Sequence, residues 1–99
     1  MTSNRDEILD EISSERQRQV DIEGYTLDHD RGYVTGELPR AASAYCMSSC
    51  GETGVAVKCW PDCWNRAMFK PKSRRRDLVR AAALIVAELE RLDDAESST

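Results

Sequence analysis

The sequence SRRRDLVRAAALIVAELERLD, residues 73–93, carries the clearest structural signal in the chain. Apolar residues recur at alternating spacings of four and three positions, which is typical of one face of an α-helix: Leu78, Ala82, Ile85, Leu89 and Leu92. Three further residues widen this stripe: Val79, Ala83 and Val86. The pattern predicts a helix over residues 74–93, with Ser73 as its N-cap, that is buried on most sides and lies at the centre of the domain.

Two other helices are predicted N-terminal to this one. Helical spacing of apolar residues extends over residues 5–22, beginning at a capping-box-like pair, Asn4 and Glu7, and ending at Gly24. The second predicted helix, residues 37–49, has an apolar side of small residues. Small side chains allow two helix backbones to approach closely, so we expect this helix to pack tightly against a neighbour.

Residues 51–72 have no clear period and are predicted to be irregular. Val55 and Val57 alternate with small or polar neighbours, which predicts a short strand or an extended loop. We therefore predict a single all-α domain over residues 1–99, with three main helices and a long irregular segment before the last one. Because a chain of 99 residues buries only a small core, we expect homo-oligomerisation to complete a helical bundle.

Composition and charge exclude some classes of function. The net charge of −4 argues against generic nucleic-acid binding, since cations that meet phosphates dominate such binding. No apolar secretory signal follows Met1, and the apolar run of residues 81–87 is too short to cross a bilayer. We expect a cytoplasmic protein with no membrane partner, in which thiols stay reduced.

The four cysteines form two closely spaced pairs: Cys46 with Cys50, and Cys59 with Cys63. Zinc in structural sites takes four thiolate or imidazole ligands, usually as two close pairs that folding brings together. A zinc site is therefore one interpretation. The alternative is four ordinary thiols, since free cysteine is among the most frequently buried residue types.

Polar residues on or beside the predicted helices form a candidate ligand site: Glu15, Gln19, His29, Asp30, Glu37 and Asp77. Carboxylates from several helices that face one cleft can hold Mg²⁺ against a triphosphate, and Glu37 and Asp77 each lie at the start of a predicted helix. The alternative is that acids at helix starts stabilise the helix dipole, and by spacing alone we favour it. His29 would then be an ordinary loop or capping residue.

A basic stretch surrounds the start of the last helix and contains Lys72, Arg75 and Arg76. Backbone N–H groups at a helix start, together with these cations, predict a phosphate-binding site. The alternative is a solvated charged loop. Three aromatic residues nearby could stack on a base, or could instead close a small core, which we favour: Trp60, Trp64 and Phe69.

Three segments carry a family resemblance: ERQRQ at residues 15–19 with EGYT at 23–26 and His29-Asp30, then GEL at 36–38, then RRDLVRA at 75–81. Together they resemble a group of small bacteriophage and prophage proteins and, more distantly, the MazG-like all-α nucleoside-triphosphate pyrophosphohydrolases. The resemblance implies a Mg²⁺ site in which Glu37 matches the last glutamate of an E-E-x-x-E run.

Asp77 would match the glutamate of the enzymes' E-x-x-D pair. The other acidic positions fall on Tyr33, Val34 and Arg80, so the carboxylate set is incomplete and we expect weak or no hydrolysis.

Three hypotheses for function follow from these features. The first is a MazG-like domain that binds a nucleotide or another phosphorylated ligand, with the candidate acids lining a cleft and the basic stretch meeting phosphates. The second is an anti-defence inhibitor of the anti-CRISPR kind, which binds a host defence protein. The third is an interaction module stabilised by zinc.

Overall fold

The structure is a computed structural model that describes residues 3–97, apart from the side chains of residues 27 and 28. The ends of the predicted domain, residues 1–2 and 98–99, lie outside the described residues. The helices are α1 (Asn4–Glu23), α2 (Leu27–Asp30), α3 (Glu37–Ser49), α4 (Thr53–Cys59) and α5 (Arg74–Ser97), with a short 3₁₀ helix at Arg66–Met68. The part of the chain that is described contains no strand, which confirms the all-α prediction.

The ends of α1 are set by two local signals. Ser3 is the N-cap, because its hydroxyl accepts a hydrogen bond of 3.2 Å from the Asp6 N–H while the Asp6 carboxylate accepts one from the Ser3 N–H. The predicted pair of Asn4 and Glu7 was therefore wrong by one position. Gly24 ends the helix as predicted, with a φ of 75° that residues with a side chain rarely adopt.

Helix α3 supplies the centre of the core and packs against both α4 and α5. Leu38, Ala41 and Ala44 are completely buried, and the neighbouring residues on α5 are small as well: Ala81, Ala83 and Ala87. Short side chains on both helices let the two backbones lie close together. The predicted bounds of this helix, residues 37–49, and its tight packing are both confirmed.

Helix α4 corrects the prediction for residues 51–72. Val55 and Val57 lie in a helix of two turns rather than in a strand or an extended loop, and the 3₁₀ helix further orders this segment. Helix α4 packs against α3, with Ala56 completely buried. In so short a segment two valines at a spacing of two fit a strand and a helix equally well, so the pattern could not distinguish them.

The sequence predicted that α5 is buried on most sides, and this prediction was wrong. The predicted stripe faces solvent, with Leu78 47%, Ile85 48%, Leu89 55% and Leu92 47% exposed. At about 100° per residue, the core residues Ala83, Leu84 and Ala87 lie on the opposite side of the helix. We call this stripe, four exposed residues and the half-buried Ala82, the outer surface of α5: Leu78, Ala82, Ile85, Leu89 and Leu92.

The described chain is flat, measuring 43 × 40 × 21 Å along its principal axes. The shortest dimension is about two helix diameters, since a helix with its side chains is roughly 10–12 Å wide. Helices α1 and α3 both pack against α5. They cover the inner side of α5 and leave its outer surface uncovered. None of the helices within residues 3–97 combines the length and apolar character that a membrane span requires.

Replacing Leu38 by alanine tests the position of the core. We expect Leu38→Ala to lower the free energy of unfolding by about 2–4 kcal/mol, because the fully buried side chain leaves a cavity. The matched control, Leu9→Ala, removes a leucine on α1 that is 54% exposed and should change it by less than about 1 kcal/mol. Urea unfolding measures both, and equal effects would contradict the described core.

Candidate functional site

Glu15 is the acid of a buried ion-pair cluster between α1 and α5. Its side chain is completely inaccessible. The carboxylate accepts two hydrogen bonds from Arg18, of 2.8 and 2.9 Å, one from the Gln19 amide at 3.3 Å, and one from Arg76 on α5. These contacts leave little of the carboxylate for an external ligand and instead connect two helices.

The ionised form of Glu15 is favoured inside this cluster. Burial on its own raises the pKa of the carboxyl, but the hydrogen bonds from Arg18 and the charges of Arg18 and Arg76 outweigh it. The pKa therefore lies below the usual value of 4.5. The charge of Glu15 is thus a permanent part of the fold at neutral pH.

Arg16 organises a second buried cluster that sequence patterns did not reveal. Its guanidinium donates hydrogen bonds of 2.7 Å to the Tyr25 carbonyl and to Glu90 on α5. It also donates one of 3.4 Å to Asp30, whose side chain is completely buried. The signal available in the sequence was the position of Arg16, one residue after Glu15 on the same inward face of α1. Asp30, a predicted ligand residue, is therefore the internal partner of an arginine.

His29 lies between Asp30 and Tyr33 at the edge of this cluster. Its Nδ1 is 3.1 Å from an Asp30 oxygen and its Nε2 is 3.3 Å from the Tyr33 hydroxyl, while its ring stacks on Tyr25. A neutral imidazole can donate to the carboxylate and accept from the phenol. Burial and the charge of Asp30 raise the pKa of Tyr33, so its phenolate is disfavoured as a nucleophile. These contacts connect α2 to Tyr33.

Glu37 and Asp77 each stabilise the backbone near the start of their own helix. The Glu37 carboxylate accepts a hydrogen bond of 2.8 Å from the Thr35 N–H. Asp77 is buried and accepts one of 2.8 Å from the Lys72 N–H and a longer one from the Ser48 hydroxyl. Burial on its own raises the pKa of Glu37, but hydrogen bonds from the backbone lower it by a larger amount. The pKa of this carboxyl therefore lies below its usual value. These contacts fit the interpretation that we favoured from spacing, in which acids at helix starts stabilise the helix.

Two of the three predicted cations pair with acids on α1. Arg76 pairs with Glu15, and Arg75 pairs with Glu11 at 2.7 Å. Lys72 is exposed, and its backbone rather than its side chain makes the contact described above. Two of the three cations predicted to bind phosphate therefore already have acidic partners within the chain.

The four cysteines are free thiols that differ in exposure. Cys46 and Cys59 are half-buried beside the core, whereas Cys50 and Cys63 are exposed. Burial, and to a lesser extent Cys50, raises the pKa of Cys46, which makes its thiolate harder to form. Among the side chains that the structure describes, no three from His, Cys, Asp or Glu are grouped closely enough to hold a metal ion. The predicted zinc and Mg²⁺ sites stay predictions.

The aromatic residues within residues 51–72, the segment predicted to be irregular, pack on one another. The Trp60 ring is 5.3 Å from Trp64 and 5.0 Å from Phe69, and both tryptophans are buried. Tyr25 and Tyr45 extend this group toward α2 and α3. These contacts confirm that the aromatic residues close the core, which was the alternative we favoured over stacking on a base.

A small cavity that the sequence did not predict lies between α3 and α4. Its volume is about 260 Å³, and its lining includes two cations and two small polar side chains: Pro39, Arg40, Ser43, Lys58 and Cys59. Arg40 and Lys58 are exposed at this position. The cavity can attract an anion, because neither cation has to leave a buried ion pair to do so.

The outer surface of α5 is a second candidate site, at residues that the sequence analysis predicted to be buried. It presents four large apolar side chains on one continuous stretch of helix, from Leu78 to Leu92. At 1.5 Å per residue this stretch is about 21 Å long. A contiguous exposed apolar patch of this kind is typical of an interaction surface rather than of a solvated helix.

A comparison of the chain with known protein families, with curated proteins and with solved structures finds no match. The resemblance to phage proteins and to MazG-like enzymes therefore stays a prediction from the quoted segments. The geometry described above supplies the grounds for proposing a function.

Replacing Glu15 by glutamine tests the ion-pair cluster. We expect Glu15→Gln to lower the free energy of unfolding by about 2 kcal/mol at pH 7, because the arginines lose their buried counter-ion while water still reaches them in part. The matched control is Glu11→Gln, which breaks the exposed pair with Arg75 and should cost less than about 1 kcal/mol. Urea unfolding compares the two variants, and similar losses would contradict the cluster.

The difference between wild type and Glu15→Gln should depend on pH. Because the folded pKa of Glu15 lies below 4.5, its contribution to stability is complete above about pH 4.5 and is lost as the pH falls through the folded pKa. We therefore expect the stability gap to narrow between pH 5 and pH 3, as unfolding midpoints would show. A gap that stays constant or widens on acidification would contradict the lowered pKa.

Proposed function

We propose that the protein acts by binding a helical protein surface through the outer surface of α5. The observation that carries this proposal is the exposure of Leu78, Ile85, Leu89 and Leu92, each close to half exposed on one face. Burying a large apolar side chain contributes roughly 1.5–3 kcal/mol, so a partner that covers this surface gains substantial affinity.

The contacts of the predicted ligand residues support the same proposal. Glu15 and Asp30 are neutralised by arginines of the chain itself, and Arg75 and Arg76 face acids on α1. These groups hold α1, α2 and α5 together, which makes α5 a well-fixed element. A fixed helix loses little conformational freedom on binding, and this favours its use as a docking surface.

Inhibition of a host defence protein is one form that such a binding function would take. Inhibitors of this kind act through stoichiometric association, for which an apolar surface on a rigid helix is suited. Support for this form comes from the resemblance to phage proteins together with the exposed apolar surface.

A photo-reactive residue on α5 tests the proposed function. Ile85→p-benzoylphenylalanine, irradiated in bacterial cells that express the protein, should give a discrete covalent adduct detected by mass spectrometry. Adding Leu89→Asp to the same chain should remove this adduct, because a charge within the surface disfavours its burial. The control is Val55→p-benzoylphenylalanine on α4, which replaces an apolar residue that is 45% exposed outside the surface.

The proposal fails if irradiation gives no adduct from position 85 above the level from position 55. It also fails if the adduct persists in the Leu89→Asp chain. An adduct that depends on Leu89 supports the proposal, and its mass distinguishes a second copy of the chain from a different protein.

Binding of a nucleotide or another phosphorylated ligand is a second candidate, favoured by the cavity between α3 and α4. Arg40 and Lys58 contribute two cations to a space of about 260 Å³, and Ser43 adds a hydroxyl. Phosphate groups bind to such clusters, with Mg²⁺ as a cofactor that the phosphates themselves would help to hold.

Melting shifts with inorganic pyrophosphate and with ATP, each with and without Mg²⁺, test the second candidate. We expect pyrophosphate or ATP to raise the melting temperature of the wild type. Arg40→Glu with Lys58→Glu should abolish this increase, since the charge of both cations would be reversed. The control is Arg66→Glu, an exposed cation on the 3₁₀ helix. No increase with any of these ligands, or an equal increase in the double variant, would contradict this candidate.

A further inference from the structure

The outer surface of α5 has the spacing of a helix that pairs with another helix. Its residues follow one another at intervals of four, three, four and three positions. This repeat averages 3.5 residues, which keeps the apolar side chains facing a partner helix along the whole contact. Half of the buried residues of α5 are alanines, and this side of the helix packs against α3: Asp77, Val79, Ala81, Ala83, Leu84 and Ala87.

The two ends of this surface carry opposite charges. Arg74 lies at the N-terminal end and is exposed, beside Arg75, which pairs with Glu11 of the same chain, whereas Asp93 and Glu96 lie exposed at the C-terminal end. A second α5 placed antiparallel would bring each basic end over the acidic end of its partner. A parallel placement would bring like charges together at both ends, which is unfavourable.

The size and shape of the chain point to a copy of itself as the partner. A surface that is apolar in the middle and oppositely charged at its ends is complementary to itself under a two-fold rotation. The described chain is only 21 Å thick, so a second copy on α5 would give the bundle another layer of helices. Small domains commonly gain stability by such association, because each alone buries a small core.

We propose that the outer surface of α5 binds the same surface of a second copy in an antiparallel helix pair. This inference rests on the proposed function of that surface and identifies its partner. The two-fold axis passes near Ile85, so that Leu78 of one copy lies toward Leu92 of the other and Leu89 lies toward Ala82. The aromatic core and the ion-pair clusters are left unchanged, because they lie on the other side of α5.

Sedimentation of the purified chain over a concentration series tests the inference. We expect a species of twice 11.2 kDa at high concentration. Leu89→Asp should raise its dissociation constant by about 100-fold or more, because pairing would bury two carboxylates in an apolar contact. Val55→Asp, the same kind of change on α4, should leave the constant unchanged. Circular dichroism establishes that both variants fold.

Charge reversal tests the antiparallel arrangement. Arg74→Glu, which leaves the Arg75–Glu11 pair intact, puts an acid at the basic end and should weaken the dimer about tenfold, since acids of the two copies would then face each other. Adding Asp93→Arg with Glu96→Arg restores opposite ends and should restore affinity to within about threefold. Equal affinities in all three proteins would indicate a parallel pair or another interface and overturn the proposal.

A wild-type chain that stays monomeric at about 500 µM would also overturn the inference. The proposed function would survive that result if position 85 still forms a Leu89-dependent adduct with a different protein. A dimer that tolerates Leu89→Asp, combined with no adduct from position 85, would contradict both the α5 pairing and the proposed function.

Discussion

Helix α5 carries apolar residues around most of its circumference, and the other helices that the structure describes cover only one side of it. Helices α1 and α3 pack against the inner side, where Leu84 and Ala87 are buried. The remaining helices are short, and α4 is engaged by α3. The exposed row from Leu78 to Leu92 is the consequence, and it is the feature on which the proposed function depends.

The inner side of α5 is joined to α1 mainly by charged groups. Glu15 and Arg76 pair across the two helices, as do Arg16 and Glu90. Buried ion pairs contribute little net stability, since the charges lose water on burial, but an unpaired member is costly. We infer that these pairs specify how α1 is placed, because a shifted α1 would separate Glu15 from Arg76 and Arg16 from Glu90.

Local signals in the sequence predicted α1 and α3 well, although not α4. Gly24 ends α1, and the bounds of α3 match, because caps and small-residue faces act within a few positions. The outer surface of α5 shows where such signals stop. The spacing of Leu78 and Ile85 identifies an apolar face, but α5 also has a second apolar face at Leu84, and periodicity does not say which one the chain covers.

The candidate site depended even more on contacts between distant residues. Arg76 and Glu15 are 61 positions apart, and Arg16 and Glu90 are 74 apart, so their pairing emerges only from the packing of α1 on α5. The same residue types and positions were compatible with a phosphate-binding rim. Charge type alone cannot distinguish a cation that meets a ligand from one that neutralises an internal acid.

The most direct test of the central claim is an isotope-filtered NOE measurement on a mixture of ¹³C-methyl-labelled and unlabelled chains. Contacts between copies should join the methyl groups of Leu78 in one chain to those of Leu92 in the other, with Ile85 and Leu89 between them. Contacts between copies confined to other surfaces, or none at concentrations where the chain associates, would contradict the account.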